Sequence, residues 1–285
     1  RMAAAPSPAL TPPPGNPRFP LLDSMRAIAA FAIVFTHTAS VTNFNSDNYF
    51  GQFTARLNIG VALFFLLSGF LLYRPFVAAR YEGRPRVRVR DYTRRRVLRI
   101  VPAYWVALTL LALWPGLIAF WDGPWWRSYL FTQIYYDELV ISQGIFPAWT
   151  LSIEVTFYLA LPLLAIAIGR FAGRRVKVEL ALLGVLAAAS LVLRFALQGA
   201  GGGYVLQNTI LAYLDWFSVG MALAVVSVAA WGRETDSRVL RTIVERPWVP
   251  WLLAAIGFWI VSTQLGLSRT FFGLYSDRAY HGEHL

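Results

Sequence analysis

The chain contains 285 residues, of which 57% are hydrophobic and only 14% are charged, and this balance favours a membrane protein over a soluble domain. Because there is no cysteine, disulfides, thiolate metal sites and cysteine nucleophiles are excluded, and we expect no metal site. The net charge of +11 would suit nucleic acid binding. We expect no nucleic acid partner, because basic residues that flank apolar runs more often mark the cytoplasmic face of a membrane protein.

The first twenty residues, "RMAAAPSPALTPPPGNPRFP", are rich in alanine and proline. Such a composition cannot pack a core and lacks the apolar run of a signal peptide. We therefore predict a disordered cytoplasmic tail over 1–20, followed by a transmembrane domain over 21–285.

Seven apolar segments approach the roughly 20 residues that a helix needs to cross a bilayer. They predict an all-α, polytopic integral membrane helical bundle. The predicted spans are 25–42, 58–79, 98–120, 147–169, 177–197, 209–231 and 249–267.

The distribution of basic residues predicts the orientation of these spans. Three alternate connections are basic: 74–99 holds ten arginines, 170–177 holds four basic residues and 232–248 holds four arginines. The intervening connections carry two basic residues at most. Since Lys and Arg stay on the cytoplasmic side in short loops, we predict a cytoplasmic N-terminus. The connection 121–146, with its aromatic run "GPWWRSYLFTQIYY", would then lie outside, at the membrane interface.

The first span carries two polar residues, Arg26 and His37, eleven positions apart. Eleven steps of 100° return to within about 20° of the starting direction, so both share one helix face, about 16 Å apart. Arg26 is either a cytoplasmic anchor or an anion ligand, with Asp23 and Ser24 predicted to cap the helix below it. His37 lies deeper; it either transfers protons or forms a structural hydrogen bond to a neighbouring helix.

A second ionisable residue, Glu154, lies inside the fourth span, slightly more than one turn after Trp149. Its depth matches the outer half of the first span. Glu154 is therefore either the partner that orients His37 or a carboxylate in a structural network. Trp149, Phe157 and Tyr158 are interpreted mainly as packing and interface residues.

Two further stretches suggest functional roles. In "FFLLSGFLLYR", Ser68 and Gly69 are small residues that permit close helix approach, and Ser68 is only a remote candidate for a nucleophile. In "RDYTRRRVLRIVPAYW", Arg96 and Arg99 lie three apart on one helix face, with Pro102 predicted near the first turn. The two arginines form either a lipid-facing basic surface or a phosphate site.

Four of these stretches, in this order, resemble the membrane acyltransferase 3 family. "LDSMRAIAAFAIVFTH" is similar to its Arg, ten residues, His pattern, and "FFLLSGF" to its second-helix signature. "RRRVLRIVPAYW" is similar to its arginine motif, and "WTLSIEVTFYLALP" to its Trp-x-Leu-x-x-Glu-x-x-Phe-Tyr segment. The likeness covers about 21–165, and "YLDWFSVGMALA" of the sixth span is weakly similar.

The resemblance implies a role for each motif residue. Arg26, Arg96 and Arg99 would bind the phosphates of a cytoplasmic acyl-CoA, the donor substrate, and no permanent cofactor would be needed. His37 would be the catalytic residue, as general base or as transient acyl carrier, with Glu154 supporting it. Asp23, Ser68, Trp149 and Tyr158 are candidate supporting residues. Arg95 could replace either motif arginine, because the run Arg94–Arg96 leaves the register ambiguous.

The family also implies a bacterial plasma membrane location and a glycan or lipid acceptor. An acyl group, acetyl or longer, would be transferred to a hydroxyl of a glycan, a glycolipid or another cell-envelope component. Its members have about ten membrane helices, so seven spans would make this chain incomplete at its C-terminal end, and inactive if the missing helices line the acyl channel. One competing interpretation is a proton-coupled transporter or flippase, in which His37 and Glu154 relay protons and the arginines bind an anionic lipid. A structural or sensory membrane subunit is the third.

Overall fold

The computed structural model describes residues 19–117, 120–136, 144–199, 204–230, 242 and 245–266. The predicted tail falls almost entirely within 1–18, outside the described residues. Every regular element in the described part is helical. The seven main helices are α1 (Pro20–Val41), α2 (Ile59–Tyr81), α3 (Val89–Leu113), α4 (Trp149–Ala172), α5 (Val176–Gly199), α6 (Leu214–Ala229) and α7 (Trp248–Thr263). The short α-helices are Phe44–Asp47, Gly51–Thr54, Trp126–Tyr129 and Tyr204–Gln207, and the 3-10 turns are Gln133–Tyr135, Phe146–Ala148 and Ile210–Ala212.

The described helices confirm the prediction of an all-α, polytopic membrane protein. Five helical segments are long and apolar enough to cross a membrane, and they correspond to α1, α2, α3, α4 and α5. The apolar helices α6 and α7 are shorter, with 16 residues each. Sixteen residues rise only about 24 Å, so these two helices cover less of a bilayer than the predicted spans 209–231 and 249–267.

The third helix differs from the predicted span 98–120. It begins at Val89 and ends at Leu113, so Pro102 lies inside the helix and not near its first turn. Arginine is a good helix former, and Asp91 in the first turn complements the helix dipole. The polar segment before the apolar run therefore joins the helix, which the hydropathy of the sequence alone did not reveal.

The described residues fall into two compact units, and their boundary lies within α2, between Phe64 and Phe65. The first unit contains α1, the start of α2 and α7. In it, a Cβ added to Gly60 would lie 2.5 Å from the carbonyl oxygen of Ala29, so glycine allows α1 and the start of α2 to approach closely. The rings of Phe53 and Phe258 are 6.3 Å apart.

The second unit contains the rest of α2 together with α3, α4, α5 and α6. Three phenylalanines with no exposed surface form its centre, one each from α2, α4 and α6. The ring of Phe217 stacks on Phe65 at 4.6 Å and on Phe157 at 4.0 Å between centroids. A second apolar cluster joins α3 to the segment before α4, and it consists of Tyr104, Leu108, Ala112, Phe120, Phe131 and Ala148.

Two glycines bring α2 and α6 into backbone contact. A Cβ added to Gly69 would lie 2.2 Å from the carbonyl oxygen of Phe217, and one added to Gly220 would lie 2.0 Å from that of Leu66. No side chain fits at such distances, so both positions require glycine. This agrees with the expectation that the small residues of "FFLLSGF" permit close helix approach, and it places the neighbouring Ser68 in the interior of the unit.

The helices also expose large apolar side chains. Examples are Phe31 on α1, Leu110 on α3, Val185 on α5 and Trp251 on α7, which are each more than half exposed. Hydrocarbon chains of lipids are suitable neighbours for these apolar surfaces, because backbone polar groups in a helix are bonded within the helix.

Candidate active site

Glu154 lies in the second turn of α4, where two hydroxyl groups hold its carboxylate. Ser68 of α2 donates to Oε1 at 2.8 Å, and Tyr158 donates to Oε2 at 2.9 Å. Glu154 and Tyr158 meet because they are four residues apart on one helix. Ser68 lies on α2, next to the glycine at which α2 contacts α6, and it is only 2% exposed. The two hydroxyl oxygens are 3.5 Å apart, and both protons are directed to the carboxylate.

The arginines of α3 differ in exposure, although Arg96 and Arg99 are only three residues apart. Arg96 is half-buried, whereas Arg94, Arg95 and Arg99 are exposed. Arg96 is therefore the arginine of this run that neighbouring side chains partly cover.

Arg26 and His37 lie on α1, in the first unit, and both side chains are half-buried. The predicted cap by Asp23 and Ser24 is wrong. The helix begins earlier, at Pro20, so both residues lie within it and no side chain caps its start. Asp23 instead lies 3.8 Å from Arg26 in an exposed ion pair, one helical turn away. The partnership of His37 with Glu154 stays a prediction, because the two residues belong to different units.

Trp149 begins α4 and packs its ring against Tyr213, with 5.6 Å between centroids. This contact agrees with its interpretation as a packing residue.

Sequence reasoning missed a charged cluster at the junction of α2, α4 and α5. Glu179 has no exposed surface and accepts hydrogen bonds from Arg80, Tyr73 and Tyr81, the last at 2.9 Å. Arg80 also donates to the carbonyl oxygen of Ala165 on α4, at 3.1 Å. The available signal was an acidic residue at the start of an apolar run, two residues after the basic turn 170–177.

A second missed pair joins α5 to α6. Arg194 donates to Asp215 through Nη2, and its guanidinium lies 5.2 Å from the ring of Trp216 and 5.8 Å from that of Tyr213. Both charged residues lie within spans that the sequence predicts as apolar, and this was the signal that could have indicated them.

Of these groups, the Glu154 cluster joins three residues that the sequence indicated, Ser68, Glu154 and Tyr158. A carboxylate held by two donors has a defined direction. A carboxylate fixed in this way can orient a neighbouring donor, as the acidic member of a catalytic triad orients its histidine.

The family relationship follows from comparison of the whole chain. The pattern described as an acyltransferase domain matches residues 19–281, which is almost the entire sequence. The chain belongs to the acyltransferase 3 family. This confirms the resemblance that the four motifs indicated.

The curated relatives with which the chain shares sequence include three bacterial proteins. It is 32% identical over 170 residues to acyltransferase MdmB of Streptomyces mycarofaciens, an alignment that covers 53% of this chain and 40% of the relative. It is 27% identical over 199 residues to the protein named putative peptidoglycan O-acetyltransferase YrhL of Bacillus subtilis, which covers 64% of this chain and 29% of the relative. It is 26% identical over 159 residues to peptidoglycan O-acetyltransferase OatA of Listeria monocytogenes, which covers 50% and 23%.

The alignments therefore span less than half the length of these relatives. No solved structure matches the chain.

Proposed function

We propose that this protein transfers an acyl group from cytoplasmic acyl-CoA to a hydroxyl of a cell-envelope acceptor, a glycan or glycolipid. The observation that carries the proposal is the carboxylate of Glu154, held by Ser68 and Tyr158 among membrane helices of an acyltransferase family. An ionisable residue inside a membrane span is a functional candidate by default. The names of two relatives, which are peptidoglycan O-acetyltransferases, support a cell-envelope acceptor and an acetyl group.

In this proposal His37 is the catalytic residue. As general base, it takes the proton of the acceptor hydroxyl while that oxygen attacks the thioester carbonyl. The carbon–sulfur bond then breaks, and the proton passes from His37 to the leaving thiolate, which gives an ester and coenzyme A. As acyl carrier, the imidazole would itself attack the thioester carbonyl, the carbon–sulfur bond would break, and coenzyme A would leave as the thiol with the proton that the imidazole gives up. The acceptor hydroxyl would then attack the acyl-imidazole, form the ester and return its proton to the imidazole. Glu154 would orient the ring in either scheme.

Three arginines would bind the donor. Guanidinium groups bind phosphate oxygens bidentately, and the distribution of basic residues supports a cytoplasmic side for Arg26, Arg96 and Arg99. Arg96 is half-buried, which favours it over Arg95 as the inner ligand. The predicted N-terminus inside the cell and the bacterial plasma membrane location belong to the same proposal.

Replacement of His37 tests the proposed chemistry. We expect His37→Ala to lower acetyl transfer from acetyl-CoA to a hydroxyl acceptor by about 10²- to 10⁴-fold, the range of general base catalysis. The matched control is Thr38→Ala, the exposed neighbour on α1, which should leave the rate unchanged. Undiminished transfer by His37→Ala, with the protein folded, would remove His37 from the mechanism.

The donor site is tested separately by acetyl-CoA affinity. Arg96→Ala should weaken binding of acetyl-CoA by about tenfold or more, because a charge-assisted hydrogen bond is lost. Arg99→Ala should act in the same direction, and rate constants at saturating donor should change less than affinity. Arg95→Ala tests the alternative register, and Arg175→Ala, an exposed arginine after α4, is the control. Equal donor affinity in all four variants would contradict the arginine site.

A further inference from the structure

The ion pair of Arg194 and Asp215 lies at one end of the second unit. Because α4 and α5 are joined by a short turn after Ala172, the start of α4 and the end of α5 lie at the same end. Arg194 is in the last two turns of α5, and Asp215 is the second residue of α6. The arginine run of α3 lies at the opposite end, because the connection from α3 to α4 leaves the end of α3.

Asp215 has hydrogen-bonding capacity that its neighbours do not use. Its Oδ2 accepts from Arg194, while the nearest donor to Oδ1 is the Ser190 hydroxyl at 3.5 Å. That hydroxyl has a single proton, and it donates to the carbonyl oxygen of Leu211 at 2.7 Å. Within the described residues, Oδ1 therefore receives no strong hydrogen bond.

Arg194 also has donors to spare. A guanidinium carries five N–H groups, and among the described residues the hydrogen bond of Arg194 is the one to Asp215. The two side chains are 17% and 11% exposed, so a ligand can reach them while much of the surrounding water is excluded.

Aromatic rings lie beside the ion pair of Arg194 and Asp215. The rings of Tyr213 and Trp216 are 5.4 Å apart, and Trp149 packs on Tyr213. All three side chains are partly exposed. A carboxylate, a guanidinium and aromatic faces together are what a sugar ring requires: its hydroxyls donate and accept, and its C–H face packs on an aromatic ring.

The charge of the site favours a neutral sugar over an anion or an apolar chain as its ligand. Because Asp215 neutralises Arg194, the site carries no net charge, and its carboxylate would repel a phosphate or a carboxylate ligand. A purely apolar acyl chain would leave the ion pair desolvated without compensation. A neutral, polyhydroxylated ring satisfies both charged groups.

We propose that Arg194, Asp215 and Trp216 form the subsite that binds a sugar ring of the acyl acceptor. This inference rests on the proposed acyl transfer. It places the acceptor at the end of the second unit opposite the arginine run of α3, and it adds to the proposed function the residues that would bind the sugar.

The first test is direct binding of chitotetraose, the tetramer of N-acetylglucosamine, to the full chain in detergent. The sugar should raise the thermal unfolding temperature of the wild-type protein, because a ligand that binds only the folded state stabilises it. Asp215→Asn and Trp216→Leu should each weaken this binding by about tenfold or more, the effect of losing a hydrogen bond to a charged group or a buried aromatic contact. Trp216→Phe, which keeps an aromatic face, should restore most of the affinity.

The control is Trp251→Leu, an exposed tryptophan of α7, which should bind the sugar as the wild type does. No shift of the wild-type unfolding temperature, or equal sugar affinity in Asp215→Asn and Trp216→Leu, would overturn the subsite. A variant that loses thermal stability but keeps its sugar affinity would show a structural ion pair and would also overturn it.

The second test is acetyl transfer, and it separates the subsite from the proposed function. In the subsite variants KM for chitotetraose should rise by about tenfold while KM for acetyl-CoA is unchanged. If the wild type acetylates a long-chain alcohol but no sugar, the subsite is wrong and acyl transfer stands. If the wild type acetylates neither but binds chitotetraose through Trp216, the proposed function fails and the sugar site stands.

Discussion

Helix α5 carries an ion pair near each end, and the two pairs differ in how completely their carboxylates are bonded. Glu179, near the start, is fully buried and accepts from Arg80, Tyr73 and Tyr81. Asp215, which meets Arg194 near the end of α5, is partly exposed and has one strong donor among the described residues.

This difference in hydrogen bonding indicates which of the two ion pairs has a structural role. A saturated, buried carboxylate can only hold helices together, because a ligand would have to displace a bond already made. A carboxylate with unused lone pairs beside aromatic faces retains the capacity to bind. The two pairs can therefore be separated by experiments on stability and on binding.

The largest stability effect is expected from Glu179→Gln. It leaves the half-buried Arg80 guanidinium without its counter-charge in the interior, which should lower the free energy of unfolding in detergent by about 3 kcal/mol. The double variant Arg80→Leu with Glu179→Leu should be less destabilised than the single one, since it removes both charges. If Glu179→Gln unfolded at the wild-type temperature, the structural role of this pair would be refuted.

Asp215→Asn is expected to have the next largest effect on stability, about 2 kcal/mol. The cost is smaller than for Glu179 because Asp215 is itself partly exposed and has fewer donors, and because Arg194 keeps its contacts with the rings of Trp216 and Tyr213. Chemical denaturation of both variants measures the difference. A greater loss for Asp215→Asn than for Glu179→Gln would reverse the comparison.

Tyr81→Phe removes one of the three donors to Glu179 and should lower the free energy of unfolding by about 1.5 kcal/mol, the worth of a hydrogen bond to a charged group. It should leave chitotetraose binding unchanged, because the Glu179 cluster and the proposed sugar site are near opposite ends of α5. Altered sugar binding in this variant would show that the two ends are coupled.

The smallest effect is expected from Ser190→Ala, about 1 kcal/mol or less, from the lost hydrogen bond to the Leu211 carbonyl. Because that proton is not directed to Asp215, KM for the sugar should stay within about twofold of the wild-type value. A large rise of KM would mean that Ser190 orients the Asp215 carboxylate, and the sugar site would then include it.

Much of the candidate site could be predicted from the sequence, since a polar residue within an apolar run is visible without any contact map. Arg26, His37 and Glu154 were identified in this way, and Gly69 by its size among bulky neighbours. The hydrogen bonds to Glu154 differ in how well the sequence predicts them. Tyr158 is one helical turn away, whereas the bond from Ser68 could not be predicted. Ser68 is 86 residues from Glu154, and its hydroxyl could equally have bonded to its own helix.

Other features required the three-dimensional arrangement for similar reasons. The start of α3 at Val89 was missed because hydropathy predicts the extent of an apolar run. It does not predict where a helix begins when its first turns are polar. Arg80 and Glu179 are 99 residues apart, so no local pattern joins them. The different exposure of the Arg96 and Arg99 side chains depends on which neighbouring residues cover α3. Sequence spacing shows only that both lie on one helix face, so it could not predict this difference.

The sequence by itself determined the all-helical membrane class, the family and the residue types available for chemistry, because hydropathy, spacing and ordered motifs are local properties. Only the tertiary structure decided which carboxylate is saturated and which keeps bonding capacity. A carboxylate's partners come from helices far apart in the chain, and their number is set by packing at places such as Gly69 and Gly220, where the backbones of α2 and α6 meet.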